Sequence, residues 1–148
     1  MTINKAMILA AGFGKRMLPL TEKVPKPLIK VGSKNLLERS IEILIKIGVD
    51  ELVINTHYLS QEIDNFLKNK NYGISITLIK EEELLDTGGG ILNATKKFEN
   101  NPFFVLNPDT IWNKNYYEEL KILENSYLEK NKPTLLLVDK TNSHDKSF

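Results

Sequence analysis

Apolar runs and amphipathic stretches alternate along the chain, and the period of the pattern switches between two residues and a helical turn as they do so. Ala6 to Ala11 is a continuous apolar run, which predicts a strand buried on both faces. A loop rich in Gly, Lys and Pro follows. Leu36, Leu37, Ile41, Leu44 and Ile45 then recur at helical spacing, with Asn35 as N-cap and Gly48 as stop. Glu51 to Asn55 predicts a second buried strand, and Ser60 opens a helix with Ile63, Phe66 and Leu67 on its inner face, closed by Asn71-Tyr72-Gly73. Ile74, Ile76 and Leu78 alternate with Ser75 and Thr77, so the next strand has one less buried face or lies near an edge. Gly88 to Gly90 stand just before a helical run from Ile91 to Phe98, and Phe103 to Leu106 reads as another strand. Tyr116, Leu120, Leu123 and Tyr127 trace a helix, Thr134 to Val138 a last strand, and Asp139 to Phe148 a polar tail.

Alternating strands and helices predict an α/β fold, a mostly parallel sheet with helices on both faces. At 148 residues the chain is one domain's worth, with no internal repeat, low-complexity segment or linker, so residues 1–148 are expected to form a single domain. Apolar residues at 41% and charged residues at 26% are ordinary for a soluble globular protein. A formal net charge of +1 gives no reason to expect a nucleic-acid or anionic-membrane partner. The chain has no cysteine, which excludes disulfides, thiolate catalysis and Cys-based zinc sites. No apolar run approaches the roughly 18 residues of a spanning helix, and Ala6 to Ala11 is short and runs straight into Gly-Phe-Gly-Lys-Arg, unlike a signal-peptide core. A cytoplasmic protein is expected.

The candidate chemistry begins where the first strand ends. In Gly12-Phe13-Gly14 the glycines permit positive φ and close approach of a ligand, so backbone N–H groups can converge on an anion. Lys15, Arg16 and Lys26 place cations in the same loop, and Pro25 and Pro27 stiffen the backbone on both sides of Lys26. Phosphate is the expected guest. A P-loop is excluded because no Gly-x4-Gly-Lys-Ser/Thr run occurs, and a dinucleotide fingerprint because Met17 stands where its third glycine belongs. Gly88-Gly89-Gly90 suggests a second stretch of backbone brought close to a ligand at a helix N-terminus, beside the alternative of a flexible turn. Asp109 follows directly on a strand, on the rim where open parallel sheets bind ligands. A triphosphate with a divalent metal fits cations and carboxylate alike. Nothing points to covalent catalysis, since neither of the 2 histidines has an obvious triad partner.

Gly-x-Gly-x-Arg, Pro-Leu-Thr and Pro-Lys-Pro-Leu, in that order, closely resemble the signature of the sugar-1-phosphate nucleotidyltransferases, and the resemblance runs from the first strand to at least Trp112. It implies a Rossmann-like three-layer sandwich, the nucleotide-diphospho-sugar transferase fold. It also implies roles: backbone contacts to base and ribose from Leu9, Ala10, Ala11 and Gly12, and triphosphate binding by Arg16 and Lys26. Base contacts would come from Gly88 with Asp86 or Thr87, and Mg2+ would be held by Asp109, with Gly14 and Asn107 flanking the nucleotide site. Leu-Asp-Thr-Gly-Gly-Gly-Ile and Asn-x-Asp-x-x-Trp look most like the N-acetylmuramate-1-phosphate uridylyltransferases, and the pattern also occurs in mannose-1-phosphate guanylyltransferase-like proteins.

The expected reaction is transfer of a nucleotidyl group from an NTP, with UTP favoured, to a sugar 1-phosphate. The alternatives are a nucleotide or nucleotide-sugar binding module without turnover, and cytidylyl transfer to a phosphocholine-like substrate. Two departures from the pattern stand out. Pro108-Asp109 replaces the usual Gly-Asp, and the family's later strands, with a second metal-binding aspartate and part of the sugar pocket, find no counterpart here. The fold is therefore expected to be C-terminally incomplete, a fragment or a domain that covers an open sheet edge by self-association, with low turnover unless Asp86 or Asp139 supplies a second ligand. His57 is read as either a hydrogen-bonded loop residue or a sugar contact, and Trp112 as a core or lid residue before a stacking platform.

Overall fold

The computed structural model describes residues 2–137. Its elements run β1 (Lys5–Ala10), β2 (Lys30–Val31), β3 (Lys34–Asn35), α1 (Leu36–Ile47), β4 (Glu51–Thr56), α2 (Ser60–Lys68), β5 (Ser75–Lys80), α3 (Asp86–Ala94), β6 (Phe104–Leu106) and α4 (Tyr117–Lys130). Short 3-10 turns fill much of the loop after β1, and β2 and β3 form a small antiparallel ribbon. The main sheet has strand order β5-β4-β1-β6, and all its pairings are parallel.

This order follows from the hydrophobic pattern. β1 is central, and its successive side chains point to opposite faces. Ala6, Ile8 and Ala10 join Leu52, Ile54, Phe104 and Leu106 in a core closed by residues of α1, α2 and α4. Met7 and Val53 face the other way and pack with Ala94 and Phe98, at and beyond the end of α3. Helices therefore cover both faces, a three-layer α/β sandwich. Connections through α1 and α2 carry the chain from β1 out to the β5 edge, and the connection through α3 brings it back to β6 on the far side of β1. The strand order thus reverses between β1 and β6, a switch point that opens a crevice at the carboxyl ends of the strands.

Helix α1 forms as its sequence requires. The Asn35 side chain accepts a hydrogen bond from the Glu38 backbone N–H at 2.7 Å, and Gly48 ends the helix at φ 106. Strand β5 is the edge its alternation predicts, and it has no fully buried residue.

Two expectations are corrected. The helix expected from Ile91 already starts at Asp86, so Gly88, Gly89 and Gly90 lie within α3 instead of ahead of it. Glycine disfavours a helix interior by about 1 kcal/mol, but tertiary packing overrides that here: a Cβ on Gly90 would sit 2.9 Å from both Asn55 Nδ2 and Glu81 Oε1. The second correction concerns the last strand. Residues 134–137 join no sheet, and Leu135 and Leu137 are 80% and 83% exposed while Leu136 packs on the core. An apolar run becomes a strand only beside a strand with free backbone groups, and none pairs with it among the described residues. Val138 and the tail from Asp139 lie outside the described residues.

Candidate functional site

A cavity of about 500 Å3 opens at the switch point. Leu9, Ala10, Ala11, Gly12, Phe13 and Gly14 form its floor where β1 ends, Lys15, Arg16, Lys26 and Pro27 one wall, Glu81, Leu84, Asp86 and Thr87 the opposite wall, and Asn107, Pro108 and Asp109 the rim after β6.

The two glycines of the loop are glycine for different reasons. Gly14 has φ 67, and a Cβ there would lie 2.9 Å from Thr21 Cγ2 and 3.2 Å from Lys26 Cβ. Backbone and packing both forbid a side chain at this position. Gly12 has no positive φ, and no atom lies within 4 Å of where its Cβ would be. No contact among the described residues requires that glycine, which leaves open space on the cavity floor. Thr21, fully buried, donates its hydroxyl to the Gly14 carbonyl at 2.9 Å and so closes the loop on itself.

Pro25 and Pro27 are buried and hold the backbone, while Lys26 between them reaches across the cavity. Its Nζ lies 2.7 Å from Asp109 Oδ2, joining the loop after β1 to the rim after β6. The Lys26 and Asp109 side chains are 28% and 47% exposed. Lys15 Nζ stands over the Phe13 ring, and Arg16 makes no salt bridge among the described residues. The rim is braced from behind by Trp112, whose indole N–H donates to the Asn107 carbonyl at 3.0 Å and whose ring meets Tyr116 edge-on. Trp112 is thus a packed brace, partly buried against the core.

On the opposite wall, Asp86 starts α3 with φ 54, a left-handed backbone that aspartate tolerates better than most residues. Asp86 and Thr87 line the cavity. Gly88, the third residue of α3, follows directly on Thr87 and is exposed to solvent without lining the cavity itself. The remaining sequence-predicted residues, Leu9, Ala10, Ala11, Gly12, Gly14, Arg16, Lys26, Asp86, Thr87, Asn107 and Asp109, surround this one cavity.

The sequence of residues 5–147 matches the Nucleotidyl transferase family. The chain belongs to that family. A probable mannose-1-phosphate guanylyltransferase 1 of Oryza sativa subsp. japonica is 44% identical over 112 residues, 72% of this chain and 31% of that protein. Among solved structures, HddC from Yersinia pseudotuberculosis complexed with GMP-PN is 31% identical with a TM-score of 0.71, over 86% of this chain and 55% of that one. A UDP-glucose pyrophosphorylase complexed with UDP-glucose superposes with a TM-score of 0.76 over 88% of this chain and 55% of that one; at 20% identity it speaks for the fold alone. The chain spans about a third of the length of the curated relatives it matches. No helix among the described residues is long and apolar enough to cross a membrane.

Within this nucleotidyl transferase chain, sequence reasoning missed two wall residues. Asn55 and Glu81 are each 3% exposed and bonded to one another, Asn55 Nδ2 donating to Glu81 Oε1 at 2.7 Å. Asn55 Oδ1 accepts from the Ala10 N–H at 3.0 Å, and Glu81 Oε2 accepts from the Leu85 N–H at 3.2 Å. This chain of bonds ties the floor to the far wall. The signal was present in part: an asparagine closing a buried strand must find partners, because an unpaired buried amide is costly. Glu81, by contrast, opens the run Glu81-Glu82-Glu83, in which nothing marks one carboxylate as the buried one. Among the described residues no three acidic or histidine side chains converge as a metal cluster, and the carboxylates on the cavity are Asp109, Asp86 and Glu81.

Proposed function

We propose that this chain forms the nucleotide-binding part of an enzyme that transfers a nucleotidyl group from an NTP to a sugar 1-phosphate, giving a nucleotide-diphosphate sugar and pyrophosphate. The observation that carries the reading is the meeting of Lys26 and Asp109 at 2.7 Å, from segments 83 residues apart, over a glycine floor at the switch point. Lys26, Lys15 and Arg16 supply the positive charge a triphosphate needs, and Gly12 leaves the room for it to lie against the backbone. The acceptor's phosphate oxygen attacks the α-phosphorus and pyrophosphate leaves. The protein's part is positioning and charge neutralisation.

Mg2+ is the metal this donor set suits. A hard cation that keeps waters and substrate phosphate oxygens needs only one or two protein carboxylates, and Asp109 stands half-exposed on the rim. Asp109 would hold the ion, with Asp86 the next carboxylate along the cavity. When bound, the metal would offset the charge on the phosphates and on the departing pyrophosphate.

For the base, GTP is the first choice and UTP the second. The UTP expectation rests on Leu-Asp-Thr-Gly-Gly-Gly-Ile, residues 85–91, and on Asn-x-Asp-x-x-Trp; of the first run only Asp86 and Thr87 line the cavity, and Gly90 serves helix packing. The relative described above is a guanylyltransferase by name. Glu81 also suits guanine, whose N–H groups need acceptors: its two oxygens each take one bond, and a carboxylate has about four acceptor sites. Mannose 1-phosphate is the first acceptor to try.

The test is to incubate the chain with each NTP, Mg2+ and a panel of sugar 1-phosphates and phosphocholine, following pyrophosphate. Release that depends on a sugar 1-phosphate supports transfer. Tight nucleotide binding with no release for any acceptor would favour a binding module, and release only with CTP and phosphocholine would replace the acceptor assigned here.

A further inference from the structure

The corner between β4 and α2 touches the loop after β1 on one side and the wall at Glu81 on the other. Its Tyr58 hydroxyl donates to the Thr21 carbonyl at 2.9 Å, with the Glu22 carbonyl 3.2 Å away. His57 Nδ1 lies 2.8 Å from the Glu81 carbonyl, which can only accept, so Nδ1 carries the proton. Phe13 packs against both rings, edge-on to His57 at 5.4 Å and tilted to Tyr58 at 5.5 Å. The corner itself is fixed, for Thr56 is fully buried and its hydroxyl meets that of Ser60 at 2.8 Å, while Leu59 turns the chain at φ 50. Neither His57 nor Tyr58 lines the cavity.

Residues 11–29 contain no strand and no α-helix, only 3-10 turns. Beside the backbone bonds of those turns, side-chain ties hold the loop: Thr21 to Gly14 inside it, Tyr58 to its middle at Thr21 and Glu22, Phe13 to the corner at its near end, and Lys26 to Asp109. The wall from Glu81 to Thr87 likewise leaves the sheet at Lys80 and is met by His57 at its first residue.

We infer that Tyr58 and His57 are separate positioning residues for the two halves of the nucleotide, Tyr58 aligning the cationic loop with the phosphates and His57 aligning the wall from Glu81 to Thr87 with the base. This rests on the nucleotide reading of the cavity. The two aromatic neighbours thus divide their work: the corner is one piece, but Tyr58 bonds the loop after β1 and His57 the wall at Glu81.

Tyr58→Phe removes the hydroxyl and keeps the ring against Phe13; His57→Phe does the same for the Nδ1 donor. Calorimetric titrations with GTP and with GMP, in Mg2+, separate phosphate from base recognition. Tyr58→Phe is expected to lower GTP affinity about fivefold, the scale of one neutral hydrogen bond, and to leave GMP affinity close to the parent's. His57→Phe is expected to lower both by the same factor and to narrow the GTP-to-UTP ratio. His57→Asn, whose amide N–H can take the place of Nδ1–H, should restore the parent ratio. Equal weakening of GTP and GMP by Tyr58→Phe, or loss confined to GTP in His57→Phe, overturns the assignment. A parent that binds no nucleotide sinks the proposed function, and the inference is then decided by amide hydrogen exchange. Tyr58→Phe must speed exchange over residues 12–22 and His57→Phe over residues 81–87, and unchanged exchange in those segments refutes it.

Discussion

Replacing Lys26 by methionine tests the site at the point where its two halves touch. The substitution keeps the aliphatic stem and removes the ammonium that lies 2.7 Å from Asp109 Oδ2. With side chains 28% and 47% exposed, this ion pair is screened by water, and such pairs contribute about 0–1 kcal/mol to stability. The fold should therefore lose less than about 1 kcal/mol in a denaturant melt. Triphosphate binding should suffer more. A charge-assisted hydrogen bond to phosphate is worth about 1.5–3 kcal/mol, so affinity in a calorimetric titration should fall about ten- to a hundredfold. The pair also predicts an effect of opposite sign. Lys26 and a cation compete for the same Asp109 oxygen, so removing the lysine should raise the affinity of the nucleotide-free protein for Mn2+, read by paramagnetic relaxation of water. A variant that melts several kcal/mol below the parent yet binds triphosphate and Mn2+ as the parent does would refute the reasoning and make Lys26 a structural anchor.

Asp109→Asn should keep the melting profile and sharply reduce metal-dependent nucleotide binding, because a neutral amide is a poorer ligand for a hard cation; equal Mg2+ dependence in calorimetry would remove Asp109 from the metal site. Gly12→Ala and Gly14→Ala should part company. The first should leave stability unchanged and weaken nucleotide binding, since its Cβ meets no protein atom, whereas the second forces a left-handed backbone at φ 67 and a 2.9 Å contact, costing about 1–3 kcal/mol in a melt. Tyr72 is pushed up from 10.0 to about 12 by burial first and then by the nearby Glu38 and Glu42 carboxylates, and its hydroxyl is buried with no partner among the described residues. The folded state thus keeps a proton that the unfolded chain releases. The stability this group contributes is full below pH 10 and is lost as pH rises towards about 12, so Tyr72→Phe should flatten that part of the alkaline loss and leave pH 7 stability equal or higher.

What the sequence made legible was local or topological. β1 and β4 show as continuous apolar runs because they are buried on both faces, and α1 shows because its cap, its stripe and its stop are within a few turns of one another. The rim was legible by a rule of topology: Gly12 and Asp109 each follow a strand of a parallel sheet, and those ends share one edge. Pairings between distant side chains were not legible. Asn55 reads as one more strand residue and Glu81 as one of three acids in a row, and only the fold shows that each buries the other's polar group. Nor could the apolar run at residues 134–137 tell a strand from an extended segment with no neighbour, since pairing is a property of the partner.

The glycine run of α3 gives the sharpest case, because within a run that reads as a ligand cradle the structure gives Gly90 a packing reason of its own. Around a Cβ on Gly88 there is nothing within 4 Å, on Gly89 Leu85 Cβ lies at 3.1 Å, and on Gly90 Asn55 Nδ2 and Glu81 Oε1 both lie at 2.9 Å. Gly88→Ala should therefore stabilise the protein by up to about 1 kcal/mol through helix propensity, with nucleotide affinity unchanged. Gly90→Ala gains the same propensity but drives a methyl into the bond that joins floor to wall, and overpacking of that kind costs about 1–3 kcal/mol. Its net effect should be destabilising, and it should lower nucleotide affinity as well, because Asn55 cannot then hold Glu81 and the Ala10 N–H together. Denaturant melts and nucleotide titrations of the two variants give the answer side by side. Loss of nucleotide affinity in Gly88→Ala at unchanged stability would show that the ligand does lie against the glycines, and that the wall of the cavity continues along α3 past Thr87.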